Sequence, residues 1–227
     1  EYVNSWGLYD DTLYDFTADE IRRLNEEDNG PWAVVNLSIA GHAPSGFPSQ
    51  TCQDRQGEFD GQDILYSVEC SARQARDFIE QLEQEGLLEN TLVVVLSDHL
   101  TMRVSVWDQL TALDRDNTLI MLGDGIRPQR VRRSATMLDV FPTILDAMGL
   151  PLNDNRAGLG ASLLSSQPTL VEIHGLETLN ERLREETALQ HRLWEGLAPQ
   201  RRESEESIAE QVTETPADLA DEVEIMH

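Results

Sequence analysis

Three short β-branched runs constrain this chain most: "WAVVNLSI" (32–39), "TLVVVLS" (91–97) and "TLIML" (118–122), the last closed by "GDG". Continuous apolar runs of this kind suit strands buried on both faces, as in a parallel sheet. Between the first two, Leu65, Val68, Ala72, Ala75, Ile79 and Leu82 recur at alternating steps of three and four, and Gly86 follows. That spacing predicts an amphipathic helix with a glycine C-terminal cap. Cys70 lies off the stripe, on the opposite helix face, where it can meet Cys52 of the preceding loop. "LDVFPTILDAMGL" predicts a second helix, with Asp139 as N-cap, Pro142 in the first turn and Gly149 as C-terminal cap. Leu138, Phe141, Leu145 and Met148 form its expected apolar face. Strands alternating with helices place the chain in the α/β class: a mainly parallel sheet with helices on both faces.

The 227 residues carry a net charge of −25. Such a surface repels nucleic acid and offers nothing to an anionic bilayer. All 17 basic residues are arginine. Both a GC-rich coding bias and adaptation to a salty exterior, where salt screens acidic repulsion, account for that. No stretch reaches the roughly 18 to 20 apolar residues that span a bilayer. The chain opens on "EYVNSWGLYDD" without a methionine or a signal peptide, which reads as a cut through a longer protein. Two cysteines fit one disulfide or two free thiols. From about residue 171 the pattern turns charged and amphipathic, a helical extension over 171–202. The last stretch, 203–227, holds nine acidic residues and no basic one, and reads as a disordered tail.

The chemistry gathers where the second apolar run stops. Asp98 and His99 follow it directly, and in an open α/β sheet ligands bind beyond the carboxyl ends of strands. A carboxylate and an imidazole are both ligands for a divalent cation. Adjacent residues of a continuing strand point to opposite faces, so sharing one ion requires the strand to end there. The plain alternative is a turn-capping aspartate beside an ordinary loop histidine. His42, in "IAGHAPSGF", sits on the same expected rim, beyond the first run and beside Gly41 and Pro44. Trp6 serves equally as an apolar wall for a glycerol or sugar face or as core. Arg103 is a phosphate clamp or a solvated side chain. Asp10 and Asp11 are expected to cap the helix that begins near Thr12.

In order, "NSWGLYDDTLYDF", "VVNLSIAGHAPSGFPSQTC", the Cys70 helix, "LSDHLTMRVSVWDQLTALDRDNTLIMLGD" and "MLDVFPTILDAMGL…GLGASLL" resemble the phosphoglycerol transferase branch of the alkaline phosphatase/sulfatase superfamily. That branch includes lipoteichoic acid synthase and the periplasmic glucan phosphoglycerol transferases, and the likeness is greatest to the latter. It covers roughly residues 3 to 166, the C-terminal half of a sulfatase-like catalytic domain within 1–170. The resemblance implies one divalent cation, Mn2+ or Mg2+, held by Asp98 and His99. A glutamate and a nucleophilic threonine complete such a site, and both fall in an N-terminal half that these residues do not include. His42 is implied to contact the phosphoglycerol head group, and Cys52 and Cys70 to form a disulfide in an oxidising periplasm. The implied activity is transfer of phosphoglycerol from phosphatidylglycerol to a glucan or similar acceptor through a covalent threonine intermediate. The implied setting is the extracytoplasmic face of the inner membrane, with membrane helices in the N-terminal half. The alternatives are a sulfatase or phosphodiesterase on the same scaffold, or a non-catalytic head-group-binding fragment. With half a shell, the isolated chain is expected to be inactive.

Overall fold

A computed structural model describes residues 2–27, 30–52, 63–188 and 191. The chain forms two compact units, Glu1–Arg130 and Val131–His227. Within the second unit the Arg133 guanidinium holds Glu172 at 2.6 Å and the carbonyl oxygens of Ser165 and Gln167 at 2.7 and 2.6 Å. The helical extension is thereby tied to what precedes it. The acidic tail 203–227 lies outside the described residues.

The first unit opens with a hairpin, β1 (Val3–Asn4) and β2 (Gly7–Leu8), paired antiparallel. It leads into α1 (Asp10–Glu27), whose acidic first turn suits the positive end of the helix dipole. Ala18 and Ile21 of α1 pack against Leu82 of α2 (Asp63–Gln84), and Trp32, Val34, Phe78, Leu87 and Leu88 surround them. Gly86 closes α2 as expected. Its φ of 73° lets the Leu87 amide donate back to the Leu82 carbonyl at 3.0 Å.

Three expectations meet corrections here. Residues 32–39 form no β ladder, yet the segment keeps a strand's alternation. Trp32 and Val34 face the α1–α2 core, while Val35 is 94% and Leu37 69% exposed. No described neighbour offers that segment a strand to pair with. The expected apolar stripe of α2 also faces outward at its start, with Leu65 and Val68 exposed. The opposite face, Tyr66, Ser67 and Cys70, is buried instead, because the Cys52–Cys70 bond anchors that side. Tyr66 adds a hydrogen bond from its hydroxyl to the Cys52 carbonyl. Finally, β3 (Val93–Leu96) and β4 (Leu119–Leu122) pair antiparallel, from Val93 opposite Leu122 to Leu96 opposite Leu119. Among the described residues every strand pair is antiparallel and two-stranded, not the mainly parallel sheet expected. The connection between β3 and β4 carries the single turn α3 (Trp107–Leu110).

The second unit is built on α4 (Val140–Ala147), entered through a 3-10 turn at Met137–Asp139. Asp139 stands at the N-cap of α4 as expected but makes no capping bond to that helix, while Thr136 caps the 3-10 turn before it and forms a reciprocal capping box with Asp139. Asp139 is buried and spends its other oxygen on the Ala161 amide at 2.9 Å. Pro142 and Thr143 are the buried side of α4, whereas Phe141 and Met148 of the expected apolar face are each 58% exposed. A short hairpin, β5 (Arg156–Ala157) and β6 (Gly160–Ala161), lies against this helix. Gly160 is required there, since a Cβ would stand 1.9 Å from the Leu138 carbonyl oxygen. Two helices follow, α5 (Leu170–His174) with a Thr169–Glu172 capping box and α6 (Leu176–Glu185). Among the described residues no helix is long and apolar enough to cross a membrane.

Two outcomes are expected. Reducing the Cys52–Cys70 bond, whose cysteines are 18 residues apart, frees a loop worth about 3 kcal/mol, and differential scanning calorimetry should show the melting point fall. Two titratable thiols with an unchanged melting point would contradict this. Arg133, and after it the Thr169 amide, holds the Glu172 carboxyl down at about 2 from its usual 4.5. A carboxyl depressed by folding stabilises fully above its unfolded value and loses that contribution as pH falls toward its folded one. Glu172→Gln should therefore flatten the acid side of a melting-point profile between about pH 4.5 and 2, and leave its neutral side parallel to the parent's.

Candidate functional site

The loop that carries His42 is clamped at both ends by two adjacent aspartates. Asp10 was expected to cap a helix. It is instead fully buried and accepts hydrogen bonds from the Ile39 amide at 2.7 Å, the Ala40 amide at 3.2 Å and the Ser71 hydroxyl at 3.0 Å. Asp11 takes the far end. Its Oδ2 accepts from the Tyr2 hydroxyl at 3.0 Å and the Thr51 hydroxyl at 3.2 Å, and its amide donates to Ser49 Oγ at 3.3 Å. Its Oδ1 meets the Thr12 amide at 2.8 Å, which keeps part of the expected capping role. The Cys52–Cys70 bond then fixes the end of the loop to α2. Gly46 completes the frame: its φ is +80°, and a Cβ would stand 2.3 Å from Ser67 Oγ and 2.9 Å from the Ala40 carbonyl.

On this frame the His42 amide donates to the Ile39 carbonyl and its own carbonyl accepts from Gly46, both at 3.0 Å. The imidazole Nδ1 lies 2.7 Å from the Ala43 carbonyl oxygen. A carbonyl only accepts, so Nδ1 carries the proton and Nε2 is the nitrogen left for other chemistry. Neutral His42 can therefore accept a proton at Nε2, and charged His42 can donate one. The Trp6 indole lies against this ring, with centroids 4.1 Å apart at 36°. Trp6 is 57% exposed among the described residues.

The second element is the end of β3. The Ser97 amide donates to the Thr118 carbonyl at 3.0 Å and the Thr118 amide returns a bond to Ser97 Oγ at 2.7 Å, so pairing stops at Ser97. Asp98 is the first residue past it, and its Oδ1 accepts the His99 amide at 2.8 Å. His99 Nδ1 donates to the Leu100 carbonyl at 2.8 Å, which turns Nε2 toward Asp98 Oδ2 at 3.3 Å. Both side chains are well exposed. Oxygen and nitrogen ligands about 2.1 Å from one ion stand close to this far apart, and a carbonyl on the far ring nitrogen is the usual orienting partner of a metal-bound histidine. The pair thus fits two positions of a cation's shell. Among the described residues no third His, Cys, Asp or Glu joins it.

The two elements meet through a small apolar cluster. Ile64, Val104 and Val106 are buried together, and Ala43, the neighbour of His42, packs on them with Leu110. No hydrogen bond joins His42 to Asp98 or His99. Arg103 is exposed, on the chain segment leading from the Asp98–His99 pair into that cluster. Arg115 braces the same segment: it donates to the Thr101 carbonyl at 3.3 Å and stacks over Trp107 at 4.9 Å. Asp10 and Arg115 escape sequence reasoning because each acts at long range, and a lone carboxylate or guanidinium has no spacing signal. Asp10→Asn removes the charge and leaves one carbonyl oxygen for the backbone N–H groups and the Ser71 hydroxyl that two oxygens serve. Thermal denaturation should show a loss of about 1–3 kcal/mol, and a variant as stable as the parent would remove Asp10 from the clamp.

The sulfatase family model matches residues 1–150. Phosphoglycerol transferase I of Citrobacter koseri is 34% identical over 169 residues, covering 73% of this chain and 22% of the relative. Phosphoglycerol transferase I of Escherichia fergusonii matches at the same identity and coverage. Phosphoglycerol transferase I of Salmonella paratyphi B is 32% identical over the same length and shares. The chain therefore spans about a fifth of the length of these curated relatives. No solved structure matches. A strand that ends in an Asp-His pair, on a chain matched by this family over most of its described length, makes the chain a member of the sulfatase family.

Proposed function

We propose that this chain is part of an extracytoplasmic enzyme that moves phosphoglycerol from phosphatidylglycerol to a hydroxyl acceptor, with a periplasmic glucan as the acceptor of choice. The observation that carries this reading is the Asp98–His99 pair, held at 3.3 Å beyond the last paired residue of β3 with Nδ1 already committed. A divalent cation, Mn2+ or Mg2+, bound there would neutralise charge on a phosphate and lower the pKa of a hydroxyl nucleophile. Asp98 and His99 supply two of its ligands. A glutamate ligand and a threonine nucleophile would come from the part of the relatives' length that lies outside these 227 residues, along with the membrane helices.

His42 supplies the proton chemistry. When the threonine, as its alkoxide, attacks phosphorus, the bond to the diacylglycerol oxygen breaks, and that oxygen takes the proton of charged His42 at Nε2. When the acceptor hydroxyl attacks the phosphoglycerol–threonine ester, its proton goes to the neutral Nε2 and the threonine leaves as the alkoxide it began as. The committed Nδ1 makes one nitrogen serve both steps. Arg103, exposed near this end of the unit, is the candidate phosphate clamp.

The outward-facing apolar residues support a site completed by further chain. Val35, Leu37, Leu65 and Val68 are all exposed in the same unit, where the rest of a sulfatase domain would cover them.

The test is Asp98→Ala in the full-length protein, with transfer of labelled phosphoglycerol from phosphatidylglycerol vesicles as the readout. Transfer should be abolished, and binding of Mn2+ measured by calorimetry should be lost with it. Full transfer by this variant ends the metal assignment. Added glucan should capture the label; free glycerol phosphate formed regardless of glucan would make the enzyme a hydrolase.

A further inference from the structure

We infer that Trp6 is a positioning residue for the His42 imidazole, an inference that rests on the proton-transfer role proposed for His42. Two torsions leave an imidazole on a surface loop free to turn over, exchanging its nitrogens for its carbons. The bond from Nδ1 to the Ala43 carbonyl opposes that exchange but holds only one edge of the ring. The indole holds a face, 4.1 Å away and tilted by 36°. Together an edge and a face define a plane and fix the direction in which Nε2 points.

The hairpin is built to deliver this contact. The Trp6 amide donates to Asn4 Oδ1 at 2.8 Å, and Gly7, at φ +125°, takes a conformation that side chains avoid. At the base of the hairpin Tyr2 and Tyr9 stack, with centroids 4.4 Å apart and planes within 8°. The Tyr2 hydroxyl accepts the Gln50 amide at 2.6 Å while donating to Asp11. Hairpin and His42 loop are thus bolted to one aspartate pair at the start of α1, so Trp6 and His42 keep their spacing. From its two-residue turn the indole packs on the imidazole of His42.

Full-length protein tests this with three variants and two readouts. Trp6→Ala should lower kcat for phosphoglycerol transfer about ten-fold, about 1.4 kcal/mol of barrier, with KM for phosphatidylglycerol unchanged. Trp6→Phe should restore most of it. In protein with labelled histidine, the His42 ring proton shifted by the indole should move back toward its free position in Trp6→Ala, with the melting point unchanged. On a His42→Ala background, Trp6→Ala should cost nothing further, because the two act as a unit. A rise in KM at constant kcat, a loss that adds in full to that of His42→Ala, or an unmoved histidine resonance would each overturn the inference. Full transfer by His42→Ala alone would remove the proton-transfer role and this inference with it, and is read from that single variant.

Discussion

The first unit depends on a buried carboxylate. Taking a carboxylate out of water is costly unless donors surround it, and Asp10 has three: two consecutive backbone amides and a serine hydroxyl from α2. Those amides belong to Ile39 and Ala40, so the bonds that satisfy the charge also fix the start of the His42 loop. The next residue, Asp11, is rotated by about 100° on the helix and reaches the loop's other end. Two neighbours in sequence thereby span both ends of one loop. The disulfide and Gly46 add covalent and steric closure, and the candidate acid–base group inherits a stiff support.

The Asp98–His99 pair is held by simpler means. The ladder between β3 and β4 runs out at Ser97, the aspartate turns back on the next amide, and the histidine's Nδ1 is taken by the Leu100 carbonyl. The two bonds made by the pair itself are local, each between adjacent residues. The pair needs no distant partner to take up its shape, which explains why it presents two adjacent donor atoms while open to solvent. The buried cluster of Ile64, Val104 and Val106, with Ala43 on it, links this end of the unit to the His42 loop through apolar contact alone.

Much of this site was legible from residue order. The strand ending in Asp98 and His99, the helix carrying Cys70 opposite its apolar stripe, and the glycines closing α2 and α4 follow from local rules of spacing and capping. What misled was burial. An apolar stripe says that a face wants a partner, not that the described chain supplies one. Leu65, Val68, Phe141 and Met148 therefore stay exposed, and the 32–39 segment keeps its alternation without a ladder. Strand direction was equally out of reach, since apolar runs look alike in parallel and antiparallel pairs.

By itself the sequence determined which residue types stand at the strand ends, that the Cys70 and Pro142 segments form helices, and that Gly86 and Gly149 close them, because those depend on neighbours a few positions apart. Only the tertiary structure decided that Asp10 grips the His42 loop, that Trp6 covers the imidazole, and that β3 and β4 run antiparallel. These join positions 29 or more residues apart in the Asp10 case and similar distances in the others. Such pairings are set by which surfaces meet once the chain has closed, and no periodicity along the chain encodes them.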